Sequence, residues 1–195
     1  MNIIQSTLLG IIQGLTEFFP VSSSGHLILL PKIFGWKEHS LSLDAFLHLG
    51  TGLAVLVYFR KDWVSMFKAF FYDLREFGMP HIAPLSGGPL SALSADSKQL
   101  LFLMIASIPA ALAGALLNDW VEANFRSPQI VAISLFTVAI LMILAETLSQ
   151  GAQSSPGLET NLKMGVSQVL ALVPGVSRSG ITIVTGLFSG LDLTS

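Results

Sequence analysis

The stretch FFPVSSSGHL, residues 18–27, places three serines, a glycine and a histidine inside an otherwise apolar segment, directly after Glu17. The chain around it is strongly hydrophobic: of its 195 residues 52% are hydrophobic and 11% are charged, where soluble domains carry roughly 25% charged residues. So few charges cannot cover a water-facing surface, which predicts an integral membrane protein. Irregular polar backbone at membrane depth is tolerated only inside protein or around a wet cavity, so this stretch is the first candidate for a functional site.

The rest of the composition excludes several classes of protein. The chain has no cysteine, which excludes a disulfide framework and thiol chemistry. Its formal net charge is −2 and it has no basic patch for nucleic acid. Residues 1–14 lack a basic n-region, so we interpret them as mature structure and not as a cleaved signal peptide.

Three apolar stretches are close to the roughly 20 residues that a helix needs to cross a bilayer. They are residues 41–59, 99–117 and 128–148. Pro109 lies inside the second stretch, where we expect a kink, and Pro128 begins the third, where proline suits a first helical turn.

Two further apolar stretches are interrupted. Residues 2–34 are broken at Pro20, and residues 161–191 are broken at Pro174 and Gly175. Each half is too short to span, so we predict two re-entrant helix–loop–helix hairpins. The predicted fold class is an all-α polytopic membrane protein in which these hairpins accompany the transmembrane helices.

The connecting segments set the expected orientation. Apolar residues recur at helical spacing in residues 60–78, which predicts an amphipathic helix in the membrane interface; residues 78–97 are expected to be a loop and residues 149–160 a linker. Residues 60–98 contain five of the ten lysines and arginines, which favours a cytoplasmic location. The two hairpins then enter the membrane from opposite faces.

The two broken stretches are also copies of one another. Residues 10–25 aligned with residues 165–180, at an offset of 155, match at seven of sixteen positions, including both VSxSG cores. With opposite orientations this predicts an inverted-topology repeat, whose broken helices meet at a shared site near the midplane. We expect one membrane domain over residues 1–195, with a first half at 1–148 and an incomplete second half from 161.

The copies have diverged in their chemistry. The first carries Glu17 and His26 where the second has apolar residues, and the second carries Arg178 and Thr182 where the first has Ser23 and Leu27. Ionisable groups at membrane depth are functional by default, so the two halves together predict one asymmetric site.

These residue types suit a phosphate group. The planar fork of Arg178 matches phosphate oxygens, and helices that begin near Gly25 and Gly180 would direct free N–H groups at an anion. Glu17 lies four residues after Gln13 and shares its helix face; its carboxylate can hold a divalent cation or take a proton. A histidine such as His26 can shuttle protons.

Plain structural roles compete with these assignments at some positions. Ser22 and Ser24 are as compatible with packing or loop capping as with binding. Asp44 and His48 lie near one end of the first predicted span. For each of them, a structural hydrogen bond and support of the site are equally compatible with the sequence.

QGLTEFFPVSSSGHL (13–27) and PGVSRSGIT (174–182) resemble the two signatures of bacterial undecaprenyl pyrophosphate phosphatases, the bacitracin-resistance family. LHLGTGLAVLVYF and ASIPAALAG, on the predicted spans, are also similar to that family. Gln13 stands where many members have glutamate. The family continues past the second signature with further helices, so we interpret the chain as a C-terminally truncated member.

The resemblance implies hydrolysis of undecaprenyl pyrophosphate at the outer face of the bacterial inner membrane, with Mg²⁺ or Ca²⁺ as cofactor. Position by position it implies a catalytic set of Glu17, Ser23, His26 and Arg178, and metal binding by Glu17 with Gln13. The implied substrate contacts are Gln13, Ser22, Ser24, Gly25, Ser177, Ser179, Gly180 and Thr182. Ser23, His26 and water all remain open as the nucleophile. The expected partners are a polyprenyl pyrophosphate and the bilayer, without nucleic acid, and a homodimer is among the oligomeric states left open.

Two other functions are compatible with parts of the pattern. A lipid-phosphate or small-anion transporter would use the same inverted repeat for alternating access, but it needs the cation more than the acid–base pair. An intramembrane serine protease is the weaker alternative, because Arg178 would have no role in it.

Overall fold

The computed structural model describes residues 2–77, 93–149 and 156–192. Nearly all of these residues are helical, which confirms the predicted all-α architecture for the part of the chain described. The helices are α1 (Ile3–Phe18), α2 (Ser23–Ile33), α3 (Leu41–Tyr58), α4 (Arg60–Phe77), α5 (Ala95–Phe125), α6 (Pro128–Leu148), α7 (Leu158–Ser167), a 3-10 helix (Gln168–Leu172) and α8 (Arg178–Phe188).

In the described part of the chain, three helices are long and apolar enough to cross a membrane: α3, α5 and α6. They coincide with the three predicted spans. Their large apolar side chains lie on the outside of the fold, as Phe46, Leu116 and Ile133 do at 71%, 81% and 65% exposure. Such surfaces would not be stable in water, so the protein is a membrane protein.

Helix α5 is longer than the sequence predicted. It begins at Ala95 and passes Pro109 without ending, so residues 95–97 belong to the helix and not to the predicted loop; residues 78–92 lie outside the described part. The early start has a local cause, because the Ser94 hydroxyl caps the helix by accepting from the N–H of Ser97. Asp73 on α4 fixes this cap, accepting from the Ser94 N–H at 2.9 Å and from its hydroxyl at 2.8 Å.

The predicted linker at 149–160 is likewise shorter than expected. Helix α7 begins at Leu158, while residues 150–155 lie outside the described part. Glu159 and Lys163 are one helical turn apart and their charged groups are 2.7 Å apart, a spacing that supports a helix. The predicted helix of residues 60–78 is confirmed as α4 over Arg60–Phe77, and its location in the membrane interface stays a prediction.

The packing of the helices brings the two broken segments together. Helix α1 packs on α2 and α3, α2 on α6, α6 on α8, and α7 on both α5 and α8. Helix α6 therefore lies between the two short helices that follow the breaks. The contact of α7 with α5 is close: a Cβ on Gly165 would lie 2.6 Å from the carbonyl oxygen of Ala106.

The two copies share their helix boundaries as well as their sequence. Helices α1 and α7 begin at positions 3 and 158, and α2 and α8 run from 23 to 33 and from 178 to 188, all at the offset of 155. The breaks differ in backbone: Ser22 has φ +59° in the first copy, whereas Gly175 takes φ +93° in the second. The first copy thus holds a non-glycine residue in the strained left-handed region.

Gly175→Ala is expected to destabilise the fold. A Cβ there would lie 2.6 Å from the Val131 carbonyl oxygen and 2.9 Å from the Ser134 Cβ, at a φ that favours glycine, so steric overlap adds to backbone strain of about 1–3 kcal/mol. We expect a lower midpoint of thermal unfolding in detergent.

Two glycines provide matched controls for this substitution. Gly190 has φ +89° and Gly14 an ordinary φ, and neither has a neighbour within 4 Å of an added Cβ. The expected order of destabilisation by alanine is Gly175 first, then Gly190, then Gly14. Equal midpoints for Gly175→Ala and Gly14→Ala would show that the close packing of Gly175 on Val131 and Ser134 of α6 is not present.

Candidate active site

A cavity of about 540 Å³ lies where the two breaks meet α3 and α5. Glu17 is the only carboxylate and Arg178 the only arginine or lysine among the described residues that line it. The other polar residues of its lining are Thr16, Ser22, Ser23, Ser24, His48, Asn161, Gln168, Ser177, Ser179 and Thr182.

The Glu17 carboxylate is held through one of its two oxygens. Oε2 accepts from Gln13 Nε2 at 3.1 Å and from the hydroxyl of Ser23, and it lies 3.4 Å from Nε2 of His48. Oε1 has no partner among the described residues. One oxygen is therefore fixed by the protein, and the other is available to a ligand.

Gln13, one helical turn before Glu17, holds this carboxylate by a hydrogen bond. Its side chain is 1% exposed, and it does not line the cavity. Its Nε2 donates to Thr51 Oγ1 at 3.2 Å as well as to Glu17. The amide nitrogen of Gln13 thus faces Glu17, an arrangement that positions the carboxylate.

Serines cap both short helices in the same way. Ser22 Oγ accepts from the N–H of Gly25 at 3.4 Å, and Ser177 Oγ accepts from the N–H of Gly180 at 3.1 Å. Each capping oxygen also lies close to the hydroxyl two residues later: Ser22 Oγ is 3.2 Å from Ser24 Oγ, and Ser177 Oγ is 3.1 Å from Ser179 Oγ. Capping is therefore a role of both motifs, one of the two roles left open for Ser22.

The segments that lead into α2 and α8, called the two tips from here on, approach one another closely because they contain glycines. A Cβ on Gly25 would lie 3.4 Å from the Cα of Gly175 and 3.3 Å from a methyl group of Leu135. Gly25 and Gly180 do not line the cavity themselves. Their contribution is the close contact and the capped N–H groups.

The start of α8 provides the positive charge. Arg178 is the first residue of this helix and is exposed, and its guanidinium has no hydrogen-bond or ion-pair partner within the described ranges. The first N–H groups of a helix also lack internal acceptors and carry partial positive charge. The starts of α2 and α8 with Arg178 are therefore a candidate anion site, although Ser22 and Ser177 occupy the N–H groups of Gly25 and Gly180, which the sequence analysis expected to be free. The hydroxyl of Thr182 donates to the carbonyl oxygens of Arg178 and Ser179, both at 2.9 Å.

His26 lies on the other side of the α2 tip. Its Nδ1 is 2.8 Å from the carbonyl oxygen of Ser22, and its ring lines an adjoining, mainly apolar cavity of about 600 Å³ that also contains Glu146. Ser177 borders both cavities. The structure thus brings Glu17, Ser23 and Arg178 into one cavity and does not bring His26 into it.

Two residues left undecided by the sequence have separate locations. His48 lines the cavity beside Glu17. Asp44 lies outside it and pairs with His39 Nε2 at 2.6 Å and with Arg126 Nη2 at 3.1 Å. An ionisable residue in a spanning segment was the only signal for His48, and the sequence did not connect it with Glu17.

The side chains present fit a Mg²⁺ that is shared with a phosphate ligand. Among the described residues no three His, Cys, Asp or Glu side chains are grouped as metal ligands, so a cage made only by protein is not available. Mg²⁺ commonly binds through one or two carboxylates, water and substrate phosphates. The free Oε1 of Glu17 fits that arrangement.

The chain is similar to proteins of known family. Residues 6–195 match the family model described as bacitracin resistance protein BacA. The chain belongs to the BacA family. It is similar to undecaprenyl-diphosphatases of Elusimicrobium minutum (39% identity), Thermodesulfovibrio yellowstonii (40%) and Geobacter metallireducens (41%). Each alignment covers 98% of this chain. In the same order, the alignments cover 67%, 65% and 67% of the relative's own length. The chain thus spans about two thirds of the length of these curated relatives.

Proposed function

We propose that the protein is an integral membrane phosphatase that hydrolyses undecaprenyl pyrophosphate to undecaprenyl phosphate and inorganic phosphate, recycling the lipid carrier of cell-wall synthesis. The observation that carries this proposal is the single cavity lined by Glu17, Ser23 and Arg178, where two helix N-termini meet. Its relatives are named for the same activity. A transporter would need the cation but not a serine hydroxyl already donating to a carboxylate.

Each side chain then has a step to perform. Arg178 and those N–H groups at the starts of α2 and α8 that Ser22 and Ser177 leave uncapped bind the terminal phosphate. Glu17 takes the proton of Ser23 as Oγ bonds to the terminal phosphorus, and the bond from that phosphorus to the bridging oxygen breaks, releasing the lipid monophosphate. Water then cleaves the phosphoserine and releases phosphate. His26 holds the Ser22 carbonyl and so shapes the tip that presents Ser23.

The proposal includes Mg²⁺ or Ca²⁺ as cofactor. Glu17 would hold the cation through Oε1, while Gln13 keeps the carboxylate in place through Oε2. Such a cation would supply charge neutralisation for the pyrophosphate. Ser24, Ser179 and Thr182, which also line the cavity, are the proposed polar neighbours of the phosphate.

The proposal also includes the arrangement in the membrane. The matching helix boundaries of the two copies support an inverted repeat of two re-entrant hairpins, with a first half at 1–148 and a second beginning at 161. The basic segment at 60–98 favours a cytoplasmic location for α4. The cavity then opens to the periplasmic face of the inner membrane, where a lipid pyrophosphate head group can enter.

Cysteine labelling tests the orientation, since the chain contains no cysteine. Lys37 before α3 and Lys68 on α4 are both exposed. A membrane-impermeant thiol reagent should label Lys37→Cys in intact cells and should label Lys68→Cys only after permeabilisation. The opposite pattern would reverse both the topology and the direction in which the cavity opens.

Phosphate release tests the function. The purified protein in detergent is expected to release inorganic phosphate from a polyprenyl pyrophosphate and to leave the lipid monophosphate as the other product. Quantifying both products by chromatography checks the stoichiometry. Movement of the lipid or of phosphate across a vesicle membrane without hydrolysis would support the transporter instead.

A further inference from the structure

We propose that Thr51 is a positioning residue, which orients the Gln13 amide and through it holds the Glu17 carboxylate in place. This inference rests on the phosphatase function proposed above. Thr51 belongs to α3 and does not line the cavity, so it acts without touching a ligand there. Gln13 Nε2 donates to Thr51 Oγ1 at 3.2 Å and to Glu17 Oε2 at 3.1 Å. One amide nitrogen thus joins α3 to the proposed proton acceptor.

The hydroxyl of Thr51 has a defined direction. It donates to the carbonyl oxygen of His48, three residues earlier on α3, at 3.0 Å. A hydroxyl has one proton and a carbonyl oxygen only accepts, so the proton of Thr51 is committed to His48. Towards Gln13 the hydroxyl therefore presents a lone pair and acts as an acceptor.

Two acceptors together decide which end of the Gln13 amide faces the site. The carboxylate of Glu17 and the lone pair of Thr51 both need a donor, and the two N–H groups of one amide nitrogen supply them. If the amide were turned over, its carbonyl oxygen would face both acceptors, which is unfavourable. Without the hydroxyl of Thr51, only Glu17 would favour the observed orientation.

Burial of Gln13 makes the acceptor on Thr51 important. The Gln13 side chain is 1% exposed, so solvent does not readily replace a lost partner. A buried N–H without an acceptor is unfavourable, and the amide would turn towards another acceptor if the hydroxyl were removed. Glu17 would then lose its hold, although its side chain is 32% exposed and has three torsions that must be fixed before it takes a proton in a defined geometry.

A second threonine shows what is particular to Thr51. Thr137 on α6 donates to the carbonyl oxygen of Ile133, one turn earlier, at 2.8 Å, and it accepts from no other helix in the described part of the chain. Such a bond to the preceding turn is common for a threonine in a helix. The additional bond from Gln13 distinguishes Thr51, and Thr137, which lines neither cavity, provides a matched control.

The test compares Thr51→Val with Thr51→Ser, using Thr137→Val as control. Valine keeps the shape of threonine and removes the hydroxyl, whereas serine keeps the hydroxyl. We expect kcat for phosphate release to fall about 10-fold in Thr51→Val, with KM changed little, and to recover largely in Thr51→Ser. Thr137→Val should turn over like the wild type. A rise in KM with kcat unchanged, or equal losses in the two Thr51 variants, would overturn the proposal.

A double-mutant cycle tests whether Thr51 acts through Gln13. Gln13→Met removes the amide at a similar side-chain size, so the addition of Thr51→Val to this variant should lower kcat no further. A second loss, as large as that of Thr51→Val alone, would show that Thr51 acts independently of Gln13 and would contradict the proposal.

NMR spectroscopy provides a readout that does not need activity. The side-chain amide signals of Gln13, identified by their absence in Gln13→Met, should move in Thr51→Val and stay close to their wild-type positions in Thr51→Ser and Thr137→Val. Unmoved signals in Thr51→Val would overturn the contact even if hydrolysis is observed. If the wild-type protein releases no phosphate, the proposed function fails, while the Gln13 signals still decide whether Thr51 holds the amide.

Discussion

Glu17→Gln is expected to lower the rate of phosphate release by about 10³-fold, within the range found for loss of a general acid or base. Glutamine keeps the size of the side chain and can still contact Gln13 and His48, but it cannot take the proton that Ser23 donates. Arg178 still binds the phosphate, so KM should rise only through weaker binding of the cation proposed at Oε1, and kcat should fall far more than KM rises. Steady-state phosphate release in detergent measures both constants.

Glu146→Gln is the matched control for this variant. Glu146 is also a carboxylate that faces a cavity, but it lies in the adjoining one, without Ser23 or Arg178. It should turn over at a rate close to that of the wild type. If both substitutions reduced the rate equally, or Glu17→Gln had no effect, Glu17 would not be the proton acceptor.

Arg178→Lys is expected to lower kcat/KM by about 10²-fold or more. The guanidinium offers two parallel donors to phosphate oxygens, which a single ammonium cannot reproduce, and loss of one preorganised donor for transition-state charge costs about 10²–10³-fold. Since Arg178 has no partner in the described part of the chain, its full donor capacity is available to the ligand. Both kcat and KM should therefore change.

Arg75→Lys controls for the loss of any guanidinium. Arg75 is exposed on α4 and lines none of the cavities described here, so we expect no change in phosphate release. The unfolding midpoint of Arg178→Lys should also equal that of the wild type. A lowered midpoint with normal turnover would instead make Arg178 a structural residue.

The two copies of the VSxSG motif illustrate how one local structure can support different chemistry. Both first serines cap a short helix, and both glycines supply the capped N–H. The residue between the serines differs. In the first copy Ser23 donates a hydrogen bond to Glu17. In the second copy the guanidinium of Arg178 has no partner among the described residues. The shared cap keeps two positive helix ends together, while the variable position carries either Ser23, the proposed nucleophile, or the cation Arg178.

The periodicity and hydropathy of the sequence were sufficient to locate the long helices. The predicted spans at 41–59 and 128–148 agree with α3 and α6, because a continuous apolar run of that length has few alternatives to a helix in lipid. The boundaries at 95 and 158 were missed. The start of α5 depends on an Asp73 side chain 21 residues before Ser94, and no local pattern reveals such a contact.

The sequence by itself determined the class of protein, the two broken segments and the residue types of the candidate site, because these follow from composition, length and a repeated motif. Only the tertiary structure decided which side of each tip a residue occupies. Ser23 and His26 are three residues apart, yet they line different cavities: residues of α1 and α3 border the cavity of Ser23, and residues of α6 border the cavity of His26. Likewise His48 reaches Glu17 only because α3 packs on α1, and such contacts between distant segments depend on side-chain geometry that the linear pattern does not contain.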